Sequence, residues 1–340
     1  MKIILFITVI TVPLLEINCC DNICDYNHFE DVKWYGQLTG GTLIQSVLKP
    51  DSTVWSWGFN GFGTLGNGSS LNSEYPVMAK NIRGIISIDQ SYGAEVALDR
   101  KGNIWFWGNL WIYNGEPDTD TNTVLPIKLG YFSRAVSISM VNVFIFLLTE
   151  DGDVWNMKLD RYTPTIVSGL EKLDGISKIT FLNKNYALTK EGKIYDLLSK
   201  KIIQDGQYNF ISISGMDGRH TIVLKDDGTV WAWGHNDLGQ LGNGTFEDSS
   251  IPMRVLNLTN IISISANFDY NLALRNDGTV WFWGFTPRED NLYSQNIPVL
   301  LSNLENVVLI NASENNLVMK SDGSYWTFYA AERIPRRVLF

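Results

Sequence analysis

Seven times along the 340-residue chain, a short polar turn is followed by a β-prone stretch built around an aromatic residue. The units read KPDSTVWSWG, DRKGNIWFWG, TEDGDVWNMK, TKEGKIYDLL, KDDGTVWAWG, RNDGTVWFWG and KSDGSYWTFY. Their first aromatics, Trp55, Trp105, Trp155, Tyr195, Trp231, Trp281 and Trp326, stand 50, 50, 40, 36, 50 and 45 residues apart. Self-similarity on that scale constrains the fold strongly, because each unit must bury its faces against neighbouring copies. An apolar stretch such as HTIVL or YNLAL precedes each turn and a stretch such as TVWAWG follows it. That pattern predicts a β-hairpin, since glycine accepts the positive φ that tight turns require.

A further strand precedes each hairpin, as in GIISID, AVSISM, FISISG, IISISA and VVLINA. Before it comes a proline with apolar neighbours, as in YPVMA, LPIKL, TPTIV, IPMRV and IPVLL. Four short strands per unit and seven units predict an all-β chain, a seven-bladed β-propeller of four-stranded blades. The last residues, ERIPRRVLF, hold a proline-valine strand with no hairpin after it, and the first unit lacks such a strand. The expectation is that the C-terminal strand from Arg336 to Phe340 completes the first blade and closes the ring.

Composition agrees with a large β core and limits the partners. Hydrophobic residues make up 45% of the chain, with 12 Trp and 14 Tyr, which favour strands. A net charge of −9 opposes the phosphate attraction behind most nucleic-acid affinity, so nucleic acid is not an expected partner. Lys2 and the apolar run from Ile3 to Leu15 read as a signal peptide over residues 1–18, because the run is too short to span a bilayer as a helix. Residues 19–28 then form a linker and 29–340 the propeller. Cys19 and Cys20 are candidate lipid-acceptor residues, which would make a lipid anchor the chain's membrane tie, but neither Asn18 nor Cys19 is the small residue that normally precedes a lipobox cysteine. Simple secretion is therefore the expectation. The third cysteine is Cys24, so residues 25–340 contain no thiol and offer neither cysteine catalysis nor a thiolate metal site.

The glycine-rich stretches WGFNGFGTLGNG, from Trp57, and WGHNDLGQLGNG, from Trp233, could suggest a phosphate-binding loop. Their duplication and the missing helix point instead to turns, with Asn60 and Asn236 tying them down. The residues Gly215, His220, Leu224, Asp227, Gly228, Val230, Trp231, Trp233, Gly234, Asn236, Gly239, Leu241, Gly242 and Gly244 place the fifth unit on a known pattern. The chain resembles the regulator of chromosome condensation repeat family over residues 29–340. That resemblance implies a seven-bladed propeller. It also implies protein partners, and guanine-nucleotide exchange on a small GTPase as the alternative activity.

The pairs Trp55/Trp57, Trp105/Trp107, Trp231/Trp233 and Trp281/Trp283, with Gly58, Gly108, Gly234 and Gly284, recur with the repeat and read as structural residues between blades. The Asp-Gly turns lack the ligand run of a calcium loop. His28, His220 and His235 occupy unrelated places, and no metal spacing or Ser/His/Asp order appears, so no enzyme, metal or cofactor is expected. The units differ most in the excursion after WxWG. Trp111, Tyr113, Phe246, Phe285 and Tyr293 lie in those excursions and are the candidate partner-binding residues, since interfaces use aromatic anchors in loops. The expectation is a monomeric, exported interaction module acting at the cell surface or outside the cell.

Overall fold

The computed structural model describes residues 36–40, 44–91, 93–110, 123–160, 169–206, 209–215, 219–286, 293–313, 315–329 and 334–340. The candidate leader, Cys19, Cys20, Trp111 and Tyr113 lie outside them. Every regular element described is a strand, and the 28 strands form seven four-stranded antiparallel sheets. Within each sheet the strands pair in chain order. The inner strands are Gln37–Gly40, Ile85–Ser91, Ala135–Val141, Ile179–Asn183, Phe210–Gly215, Ile261–Ala266 and Val307–Asn311. Each packs against the sheet of the next blade, and Gln37–Gly40 packs against the seventh, so the seven blades close into a β-propeller.

The turns obey the chemistry that the repeat announced. In blade 5 the second strand His220–Lys225 runs antiparallel to the third strand Val230–Gly234, with Gly228 between them at φ +76°. Asp227 accepts from the Thr229 backbone N–H at 2.9 Å and from its hydroxyl at 2.6 Å, and the hydroxyl in turn accepts from Trp231 Nε1 at 3.2 Å. The cation of Lys225 sits 5.8 Å from the Trp231 ring centroid. The same cation-over-indole arrangement recurs at Lys49/Trp55, Arg275/Trp281 and Lys320/Trp326. These cations cover the half of each ring that the sheet leaves exposed.

In blades 1, 2 and 6 the second tryptophan of the pair is the deeper one. Trp107 and Trp283 are fully buried, whereas Trp105 and Trp281 are half-buried. Each buried indole is gripped by the glycine-rich excursion of the preceding blade: Trp107 Nε1 donates to Thr64 O and Trp283 Nε1 to Gln240 O, both at 2.8 Å. Gly242 at φ +59° has no room for a side chain, because a Cβ there would stand 2.8 Å from the Trp283 ring. Asn236, wholly buried, holds the excursion together. Its amide donates to Thr245 O and Glu247 O, and its carbonyl accepts from Leu241 N. The repeated glycines therefore let one blade's loop fold against the next blade's tryptophan.

The closure differs from the sequence-based expectation. The outer strand Arg336–Val338 pairs with Tyr325–Tyr329 and completes blade 7, while blade 1 has its own outer strand, Ser73–Met78. The proline-containing strand thus follows the WxWG strand of its own blade, with Trp55 opposite Met78 and Trp231 opposite Arg254. The reason is antiparallel geometry. The excursion after WxWG turns the chain back alongside the strand it has just left. A cyclic repeat reads the same from any starting phase, and the true blade begins one strand later than the repeat unit read from sequence.

Candidate functional site

An antiparallel meander places the connections between first and second strands, and those between third and fourth, at the same end of every blade. The central channel opens at that end, among the excursions. It is lined by all seven inner strands, with Thr39, Asp89, Ser139, Asn183, Ser214, Ser265 and Asn311 among its polar residues.

Most of this polarity joins one blade to the next. Gln37 donates to Ile88 O at 2.7 Å and accepts from Ile88 N at 3.0 Å. Ser214 accepts from Ala266 N and Ser265 from Ala312 N. Asn183 donates to Ile213 O at 2.9 Å. Gln45 of blade 1 donates to Asn315 O of blade 7. Asp89, largely buried, accepts from Ser139 Oγ and Met140 N of blade 3, both at 2.8 Å.

Asp89 also meets a charge from two blades away. Lys184, in the turn between the first two strands of blade 4, reaches Asp89 Oδ1 at 2.5 Å and Gln90 O at 2.6 Å. This ion pair spans blade 3 at the mouth of the channel. Farther along the rim, Arg219 pairs with Asp269 at 2.8 Å.

Two titratable groups lie deeper. Glu95 is wholly buried between blades 1 and 2. Its Oε2 accepts from Ser46 at 3.0 Å and from Ser56 at 3.4 Å, and burial pushes its carboxyl up to about 8. The group is therefore mostly neutral at pH 7. His220 is also buried, which holds its pKa below the usual value, and its Nε2 lies 2.7 Å from Asn271 Oδ1. Both side chains sit inside the wall between blades, as hydrogen-bonding struts.

The candidate aromatics separate. Phe246 lies in the blade 5 excursion and is 48% exposed. Phe285 is half-buried in the third strand of blade 6, Val280–Thr286, and Tyr293 opens the outer strand Tyr293–Leu300. Residues Phe285 and Ser294 are directly paired, so this hairpin extends farther than its loop-like sequence suggested. Leu71, in the blade 1 excursion, is 76% exposed and is not among the sequence-based candidates, all of which are aromatic. Asp89 and Lys184 are not among those candidates either. Ninety-five residues separate them, and only closure of the ring brings them together.

The fold and the mouth together define a seven-bladed propeller whose loop-bearing end combines exposed apolar side chains with fixed charge pairs. The family model for the regulator of chromosome condensation (RCC1) repeat matches residues 51–96 and 227–274. Each match runs from the hairpin turn of one blade into the second strand of the next, so the repeat unit straddles two blades. The chain is 30% identical to the mouse (Mus musculus) regulator of chromosome condensation over 284 residues, 67% of either protein. It belongs to the RCC1 repeat family. It is also 28% identical over 285 residues to the ultraviolet-B receptor UVR8 of Arabidopsis thaliana, covering 69% of this chain but only 63% of the receptor's length. Among solved structures, Prp20p of Saccharomyces cerevisiae superposes with a TM-score of 0.65 at 18% identity, over 81% of this chain and 80% of Prp20p, a likeness of fold.

Proposed function

We propose that this chain is a protein-binding module, exported by residues 1–18 and working outside the cell or at its surface, as a monomer and without catalysis. The observation that carries the reading is the placement of Leu71 and Phe246, exposed apolar side chains on the end of the ring that also bears the Asp89–Lys184 and Arg219–Asp269 pairs. Apolar anchors beside charge pairs are what a protein interface uses for affinity and orientation. Trp111, Tyr113, Phe285 and Tyr293 are carried into the proposal as further contacts from the excursions. Yeast Prp20p, which shares the fold, has been characterised for its binding to Gsp1p and histones. The basis for export is the apolar run behind Lys2.

Guanine-nucleotide exchange on a small GTPase is the second reading, favoured by the 30% identity to the mouse regulator of chromosome condensation. Affinity capture from envelope, secreted and cytosolic fractions distinguishes the two, using the wild-type chain beside a Leu71→Ala/Phe246→Ala double variant. A single envelope or secreted protein that the variant fails to retain supports the first reading. A GTPase whose nucleotide release the chain accelerates supports the second. Expression with the native N-terminus tests export: full-length chain retained in the cytosol, uncleaved, contradicts it.

A further inference from the structure

The seam between blades 7 and 1 holds a cluster of four aromatic rings capped by a lysine. The Phe340 ring stands edge-on to Trp55 and Trp57 of blade 1, at centroid distances of 5.7 and 6.2 Å and interplanar angles of 76° and 81°. On the other side Tyr325 of blade 7 lies 5.1 Å away. Lys49 Nζ caps the slot, 3.5 Å from the Phe340 centroid and 4.5 Å from that of Trp55. Burial beside these rings lowers the pKa of Lys49. Lys49 belongs to the hairpin turn of blade 1, so the slot lies toward the end of the ring opposite the channel mouth.

The occupant is held loosely for a core residue. Phe340 remains 48% exposed and Leu339 62% exposed. The strand Arg336–Val338 stops short of both, so Phe340 is kept by its ring contacts rather than by a backbone ladder. Edge-to-face walls with a cation over the face suit an aromatic ring specifically, because an aliphatic side chain has no quadrupole for them to engage.

We propose that the cleft formed by Lys49, Trp55, Trp57 and Tyr325 is a peptide slot selective for an aromatic side chain, occupied in cis by Leu339–Phe340. The slot fits an extended segment that presents a phenylalanine beside an aliphatic residue, and such a segment competes with the chain's own residue. This inference concerns a different surface from the channel mouth and stands independently of the proposed function.

The test uses the full chain with Phe340→Ala and the probe N-acetyl-Leu-Phe-amide, followed by tryptophan emission and calorimetry. Phe340→Ala is expected to bind the probe saturably, with a shift in emission from Trp55 and Trp57. It should ignore N-acetyl-Leu-Ala-amide. The wild type should bind the probe at least about tenfold more weakly, because its own ring competes at high effective concentration. Adding Trp55→Ala should abolish binding. If Phe340→Ala is poorly folded, Phe340→Leu keeps apolar bulk in the slot and carries the same expectation. Absence of binding by the folded variant up to about 10 mM probe, or equal binding by variant and wild type, overturns the proposal.

Discussion

Replacing Glu95 by glutamine should remove a pH dependence that the native ring carries. The carboxyl is wholly buried and its pKa stands at about 8, against 4.5 for an exposed glutamate. Between those values the unfolded chain releases a proton that the folded chain keeps, so the folded state binds more protons and stability falls as pH rises. At about 1.4 kcal/mol per unit, the cost grows by about 2.5 kcal/mol from pH 5 to pH 7 and approaches its limit above pH 8. Glutamine has the same shape, accepts the same serine hydrogen bonds and never ionises. His220 acts in the opposite direction. Its folded pKa lies below the usual value, so its contribution falls as pH drops through about 6.5. It is present in both proteins and cancels in the difference. Urea unfolding at pH 5 and pH 7 should therefore show Glu95→Gln gaining about 2–3 kcal/mol on the wild type across the interval. A difference that stays constant with pH, or shrinks as pH rises, refutes the reasoning.

Trp283→Ala should cost about 4 kcal/mol, because it empties a buried site and removes one of the two hydrogen bonds that the Gln240 carbonyl accepts, the other coming from Asn271, whereas Trp231→Ala, partly exposed beneath Lys225, should cost about half of that. Denaturant midpoints check the order, and equal losses contradict it. Gly242→Ala combines a positive φ with a Cβ 2.8 Å from the Trp283 ring, so it should destabilise by about 2 kcal/mol or more and perturb the fluorescence of that indole. Lys184→Met should lose about 1–2 kcal/mol at neutral pH by leaving Asp89 without its counter-ion. Proteolysis of blades 3 and 4 should become faster in that variant, and an unchanged cleavage rate argues against a strut.

The blade count was legible because turn, apolar strand and tryptophan are local features, repeated wherever the backbone needs the same hairpin. The strand phase was not, since local pairing rules are indifferent to where a cycle begins, and only the hydrogen-bonded register of Trp55 with Met78 fixes it. Glu95 was hidden for a subtler reason. It faces Trp107 across the ladder, as Gln45 faces Trp57, Thr221 faces Trp233 and Asn271 faces Trp283. That polar column was visible in the sequence, but its burial follows only from the packing of blade 1 onto blade 2. The indole-capping cations were also legible in principle, each six residues ahead of its tryptophan, as Lys49 is of Trp55. Lys184 with Asp89, and Phe340 with Trp55, are contacts of ring closure, which no window of sequence contains.

The central claim is that the loop-bearing end of the ring grips a protein. Placing a photo-crosslinking amino acid at position 246, and separately at position 276 in the hairpin turn at the opposite end, tests it most directly. Irradiation in the presence of envelope and secreted fractions should join position 246 to one protein species and leave position 276 unreacted. Equal labelling from both positions, or capture from position 276 alone, would contradict the account.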